Sequence, residues 1–195
     1  MKELQKNIID CFLFNDELDV LEIRLSLLSP YVSLFVLIES AKTFDGQDKP
    51  FYYEENRERF KDYSDKILYI KVEDMPEEKG KDYQRNAIGD TIHYLHKQKN
   101  LDIDDLVFIS DISEIPEMVK LAIHLHGTSF NPPLVLDMKM NNVNNYKKGT
   151  IITTAKDILL NFLLAIIYLR QALNLSLFHT VKHLMFLLPM RKQVI

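Results

Sequence analysis

Two short stretches carry side chains that could do chemistry together. The first is "FISDISEIP" (Phe108–Pro116), where an apolar run meets Asp111, Ser113 and Glu114. Two carboxylates with a hydroxyl between them suit a divalent cation, because Mg²⁺ and Mn²⁺ favour carboxylate oxygens and often share them with substrate phosphates. The same residues also suit a helix start: Ser113 or Asp111 can cap a helix beginning near Pro116, with Glu114 and Glu117 at its positive end. Spacing alone leaves both readings open, and the two are compatible. The second stretch is "YQRNAIGD", with Gln84, Arg85 and Asn86. Arg85 offers a planar, permanently charged fork that matches phosphate oxygens. Placed in the first turn of a helix, it would be joined by free N–H groups. The alternative is that Arg85 pairs with a nearby acid such as Asp82 on a solvated face.

These residues need elements to hold them. "NIIDCFLF" (Asn7–Phe14) reads as a buried strand, and Asn15 or Asp16 can cap the helix after it. In that helix Leu18, Leu21, Leu25 and Leu28 form an apolar stripe, with Asp19, Glu22 and Arg24 expected off it; Pro30 ends it. "VSLFVLIES" (Val32–Ser40) and "KILYIKV" (Lys66–Val72) read as further strands, separated by a polar loop and the short charged helix "NRERFKDY". Ile88, Ile92 and Leu95 have helical spacing, "DDLVFIS" is a fourth strand, "PEMVKLAIHLHG" a helix closed by Gly127, and "PPLVLDMKM" a fifth strand. Alternating strands and helices predict an α/β fold with a mostly parallel sheet flanked by helices. In such sheets ligands sit beyond the carboxyl ends of the strands, where Asp111 falls.

Bulk properties narrow the class. A chain of 195 residues, 47% hydrophobic and 27% charged, is sized for one sizeable globular domain. A net charge of −4 leaves no nucleic-acid footprint. The single cysteine, Cys11, cannot form an internal disulfide and fits a reducing compartment. With no signal-peptide pattern at the start, a cytoplasmic location is expected.

At this point the residues resemble a known family. "DCFLFNDELDVLEIRL" (Asp10–Leu25), "FVLIESAKTFDGQDKPFYYEENRERF" (Phe35–Phe60), "YQRNAI" and "FISDISEIP", in that order and spacing, are similar to glycosyltransferase family 17. The resemblance covers about the first 140 residues. It implies a GT-A-like, Rossmann-like nucleotide-sugar-binding fold over residues 1–150. It also implies inverting transfer of N-acetylglucosamine from UDP-GlcNAc to a glycan acceptor, with Mn²⁺ or Mg²⁺. Carried over by position, Asp111, Ser113 and Glu114 fall on the family's Asp-x-Asp-Glu motif and are the candidate metal ligands. Gln84, Arg85, Asn86, Glu39, Thr43 and Asp111 are the candidate nucleotide-sugar contacts, and Glu114 is the candidate base. Ser113 replaces the motif's second aspartate, which removes one charge. The family's Gly-Trp-His-containing segment has no counterpart, since the chain contains no tryptophan. A truncated or degenerate member that binds nucleotide without transfer is therefore the alternative.

Residues 151–195 differ in character. Beyond Met138 the only acid is Asp157, against Lys139, Lys147, Lys148, Lys156, Arg170, Lys182, Arg191 and Lys192. The apolar stretch from Ile158 to Leu169 is too short to span a bilayer. A helical tail packed on the core is expected, with peripheral membrane contact as the second reading. His179 and His183 sit four apart, but Thr180 stands where a zinc-protease pattern has glutamate.

Overall fold

The computed structural model describes residues 7–43, 45–73, 80–118, 134–137 and 149–160, with backbone alone at 80–83, 134–137 and 149–150. In order these are strand β1 (Ile8–Phe14), helix α1 (Leu18–Leu28), β2 (Leu34–Ser40), helix α2 (Tyr52–Glu55) and a 3-10 segment (Arg57–Lys66). Then come β3 (Ile67–Val72), α3 (Gly80–Lys97), β4 (Leu106–Asp111), β5 (Leu134–Asp137) and β6 (Gly149–Thr154). The proposed helix ending at Gly127, and the tail beyond residue 160 with His179 and His183, lie outside the described residues.

The strands form one sheet in the order β3-β2-β1-β4-β6-β5. β1, β2, β3 and β4 are mutually parallel, whereas β6 runs antiparallel to both β4 and β5. The sheet is the mostly parallel, helix-flanked α/β arrangement expected. A sixth strand, "GTIITT", stands outside the elements expected above, though its β-branched residues favour a strand. β6 straddles residue 150, so the sheet draws on residues to either side of that boundary. Thr154 and Asp157 then form a reciprocal cap, with the Asp157 N–H reaching Thr154 Oγ1 at 3.3 Å and the Thr154 hydroxyl donating to Asp157 Oδ2 at 2.6 Å.

The alternation of each strand divides the interior. Ile9, Cys11, Leu13, Val36, Ile38, Ile70, Val72 and Val107 face α3, which returns Ala87, Ile88, Ile92 and Leu95. Phe12, Phe14, Phe35, Leu37 and Tyr69 face α1, with Leu21, Leu25, Leu28, Tyr53 and Phe60 packed over them. Side chains two apart share a sheet face, so one apolar run in sequence serves both layers. Full burial raises the pKa of the Cys11 thiol well above its ordinary value, with Asp10 adding to the effect. That keeps it protonated and unreactive.

Local details depart from the expectations. Neither Asn15 nor Asp16 caps α1. Glu17 occupies the N-cap and turns its carboxylate back to accept the N–H groups of Asn15 and Asp16 at 3.0 and 3.1 Å. "NRERFKDY" is a 3-10 segment with non-helical dihedrals at Phe60, whose ring is fully buried there. Arg24 is not off the apolar stripe of α1 but fully buried within it. Its position, three after Leu21 and four before Leu28, lies on the same helical face as both.

Candidate functional site

β1 lies between β2 and β4, and its two neighbours are reached on opposite sides of the sheet, through α1 and through α3. In such folds the ligand crevice lies beyond the carboxyl ends of the strands at this switch point, here those of β1 and β4. Asp111 closes β4 at that edge, in register with Leu13 of β1. Alternation along β4 sends Ser110 to the α1 side and Asp111 to the α3 side.

The chain turns sharply at once. The Glu114 N–H donates to the Asp111 carbonyl at 3.0 Å, and the Asp111 N–H donates to Glu114 Oε2 at 3.0 Å. Only the return bond from Glu114 resembles a capping box, since the Glu114 N–H goes to the main-chain carbonyl of Asp111 and not to its side chain; the pairing closes a turn, and residues 114–117 are not helical. The helix expected to begin near Pro116 lies almost wholly outside the described residues. Ser113, between them, is exposed.

From α3, Arg85 Nη2 comes to 3.4 Å from Asp111 Oδ1, with the two side chains 50% and 25% exposed. The pair thus forms across elements, with Asp111 as its acid. Exposed pairs of this kind contribute about 0–1 kcal/mol to stability. The pair therefore adds little to the fold and leaves both charges at the surface of the crevice. Arg85 is not in the first turn of the helix, which begins at Gly80. Helices extend through polar residues as readily as apolar ones, since each added residue gains a hydrogen bond. The amides of residues 84–86 are consequently used inside the helix. Gln84 is buried against the sheet side of α3, and Asn86 is exposed beside Arg85.

The remaining candidates are elsewhere. Glu39, at the end of β2, is completely buried. Its Oε1 accepts from Lys49 Nζ at 2.9 Å and the Tyr52 N–H at 2.6 Å, and its Oε2 from the Tyr53 N–H at 3.2 Å and the Tyr69 hydroxyl at 2.7 Å. Burial raises its pKa, with Lys49 and Tyr69 opposing. The Tyr69 hydroxyl is pushed upward too, chiefly by burial and then by that carboxylate. Glu39 thus anchors the start of α2 to the sheet. Thr43 belongs to a tight turn: its hydroxyl donates to Asp45 Oδ1 at 2.5 Å and accepts the Gln47 N–H at 3.0 Å. The structure therefore brings Asp111, Glu114 and Arg85 together, with Ser113 and Asn86 at the rim, and keeps Glu39 and Thr43 in separate hydrogen-bonded clusters.

One participant escaped the sequence reading. Arg24 reaches from α1 to the underside of the Asp111–Glu114 turn. Nη1 donates to the carbonyls of Asp111, Ile112 and Glu114 at 3.3, 2.9 and 3.2 Å. Nη2 and Nε grip the Asp10 carboxylate at 2.7 and 2.8 Å, and Nη2 also meets Ser110 Oγ at 2.6 Å. The signals available were an aspartate inside the apolar run of β1 and an arginine on the apolar face of α1.

Chemically the crevice offers carboxylate oxygen at Asp111 and Glu114, a guanidinium at Arg85 and a hydroxyl at Ser113. No group of three or more His, Cys, Asp or Glu side chains arranged to hold a metal occurs among the described residues. A cation with only one or two protein carboxylates is nonetheless common where substrate phosphates and water complete its shell, so the donor set fits a diphosphate-bound Mg²⁺ or Mn²⁺.

Comparison with known proteins gives this geometry its context. The rat and human beta-1,4-mannosyl-glycoprotein 4-beta-N-acetylglucosaminyltransferases are each 29% identical to the chain over 123 residues. Those matches take in 59% of this chain but 22% and 23% of the relatives, so the chain matches under a quarter of their length. Among solved structures, 4-diphosphocytidyl-2C-methyl-D-erythritol synthase superposes with a TM-score of 0.48 and 12% identity, over 77% of this chain and 76% of that one. The model of glycosyltransferase family 17 matches residues 1–146, a span holding β1 to β5, Arg85 and the Asp111–Glu114 turn, and the chain belongs to that family.

Proposed function

We propose that this protein is a hexosyltransferase that moves N-acetylglucosamine from UDP-GlcNAc to a glycan acceptor, with inversion and with Mn²⁺ or Mg²⁺. The observation that carries the proposal is the meeting of Asp111 with Arg85 at the carboxyl end of β4, in a chain of this family. Asp111, with Glu114 and Ser113 beside it, would hold the cation. When bound, the cation neutralises charge that builds on the departing diphosphate. Arg85 supplies a fixed positive charge at the same rim, with Asn86 next to it as a further polar contact for the donor. Inversion requires a carboxylate to take the proton of the attacking acceptor hydroxyl, and Glu114 is the nearest candidate to Asp111.

The test is release of UDP from UDP-GlcNAc with Mn²⁺, with and without glycan acceptors, in wild type and Asp111→Ala. A loss of at least ~100-fold is expected for the variant, the scale seen when a group that stabilises transition-state charge is removed. Equal rates in both proteins would remove Asp111 from the site. A second reading is motivated by exposed Ser113 at the family's aspartate position: a relative that binds the nucleotide but transfers nothing. Calorimetry with UDP and Mn²⁺ separates the two, since binding without turnover favours the second.

A further inference from the structure

Arg24 and Asp10 are both completely buried, and their ion pair sits directly beneath the turn that carries Asp111 and Glu114. A buried ion pair is poor value as a stabiliser, because removing two charges from water cancels much of their attraction, and apolar pairs of similar volume often do as well or better. What an apolar pair cannot do is orient main-chain carbonyls. Arg24 does this in a specific pattern. One edge of its guanidinium is fixed by Asp10 and Ser110, both on strands of the sheet, and the ring of Phe12 lies against the guanidinium at 4.7 Å. The remaining nitrogen, Nη1, faces three carbonyls within one turn. Those carbonyls are thereby drawn towards α1, while Asp111 meets Arg85 on the α3 side. Asp10 also compensates the charge, so a guanidinium can lie under the turn without repelling a cation above it.

We infer that Arg24, locked by Asp10 and Ser110, is a positioning residue that sets the Asp111–Glu114 turn in place before any ligand arrives. The inference rests on the proposed transferase reading for what the turn does, but the position of the turn can be measured without it. The decisive variant is the double replacement Arg24→Met with Asp10→Leu, which removes both charges together and so avoids an orphaned one. Amide hydrogen exchange is followed for residues 111–114 and for β1 and β2, alongside Mn²⁺ and UDP-GlcNAc titrations. The expected result is exchange at residues 111–114 faster by ~10-fold or more, with β1 and β2 still protected, as for local opening without global unfolding. The Mn²⁺ concentration for half-maximal activity should rise by a similar factor, while the activity at saturating Mn²⁺ falls less.

Arg24→Lys supplies a second reading. It keeps the charge opposite Asp10, but its three donors cannot span Asp10, Ser110 and three carbonyls, so the same local loosening is expected. Wild-type protection of residues 111–114 in either folded variant overturns the inference. So does a uniform rise in exchange across all strands, or the unfolding of both variants, since Arg24 would then serve the core alone. If wild type neither binds nor turns over UDP-GlcNAc, the transferase reading fails, and the exchange pattern still decides the role of Arg24.

Discussion

A carboxylate enclosed by four donors behaves differently from one at the rim of a crevice, and Glu39 and Asp111 are the two cases here. Glu39 holds Lys49, two amides and the Tyr69 hydroxyl. Glu39→Leu would leave Lys49, itself 4% exposed, buried without its counter-charge. A loss of about 3–5 kcal/mol is expected in urea melts, the range for breaking a buried pair from one side. Glu39→Gln keeps an acceptor and should lose less. The pKa of Glu39 is raised by burial, so the folded protein takes up this proton at a pH where the unfolded chain has not. Its contribution is therefore fully present below the unfolded value of 4.5 and is lost as pH rises through the higher folded value. The stability of wild type relative to Glu39→Gln should accordingly improve as pH falls from neutrality towards that range. A stability gap independent of pH would contradict the burial effect. By contrast, Asp111→Ala should leave stability within about 1 kcal/mol of wild type, as expected for an exposed pair, and show its effect in activity.

At the scale of elements, glycines mark where the backbone has freedom and where it does not. Gly46, in the turn that contains Thr43, has φ of +87°. Although a Cβ there would meet nothing within 4 Å, the left-handed backbone itself disfavours a side chain. Gly46→Ala should cost about 1–2 kcal/mol for that reason alone. Gly89 lies inside α3, and a Cβ there also meets nothing within 4 Å. Gly89→Ala should stabilise by up to about 1 kcal/mol, the helix propensity difference. Thermal midpoints that move in opposite directions would bear this out, and movement in one direction would refute it. The stabilised variant also matters for the site, because α3 carries Arg85 to Asp111; its activity should be unchanged.

For the molecule as a whole, one sheet separates two apolar layers that, among the described residues, share no side chains. Ile92 belongs to the α3 layer and Leu21 to the α1 layer. Ile92→Val should cost about 0.5–1.5 kcal/mol, and Leu21→Met should cost less than about 1.5 kcal/mol. Combined, the two should add to within about 0.5 kcal/mol in denaturant melts, as distant sites do. A larger departure would mean that the sheet transmits strain between its faces. No helix among the described residues is long and apolar enough to cross a membrane, so membrane contact through the basic tail stands as a separate proposal for liposome flotation. Much of this plan was legible in the chain. Apolar runs of β-branched and aromatic residues separated by helical periodicity identified β1 to β5, α1 and α3; for the parallel strands β1, β2 and β4, burial on both faces demands such runs. The four ordered motifs identified the family, and the rule about carboxyl ends placed Asp111 at the crevice. Tertiary structure alone decided which residues complete the site. Glu39 and Asp111 look alike in sequence, each an acid ending a strand, yet alternation and neighbours bury one and expose the other. Arg24 and Asp10 stand fourteen residues apart, and the carbonyls they hold lie nearly ninety further on. Hydrogen bonds to main-chain carbonyls leave no mark in side-chain spacing, so only the folded chain could reveal that clamp.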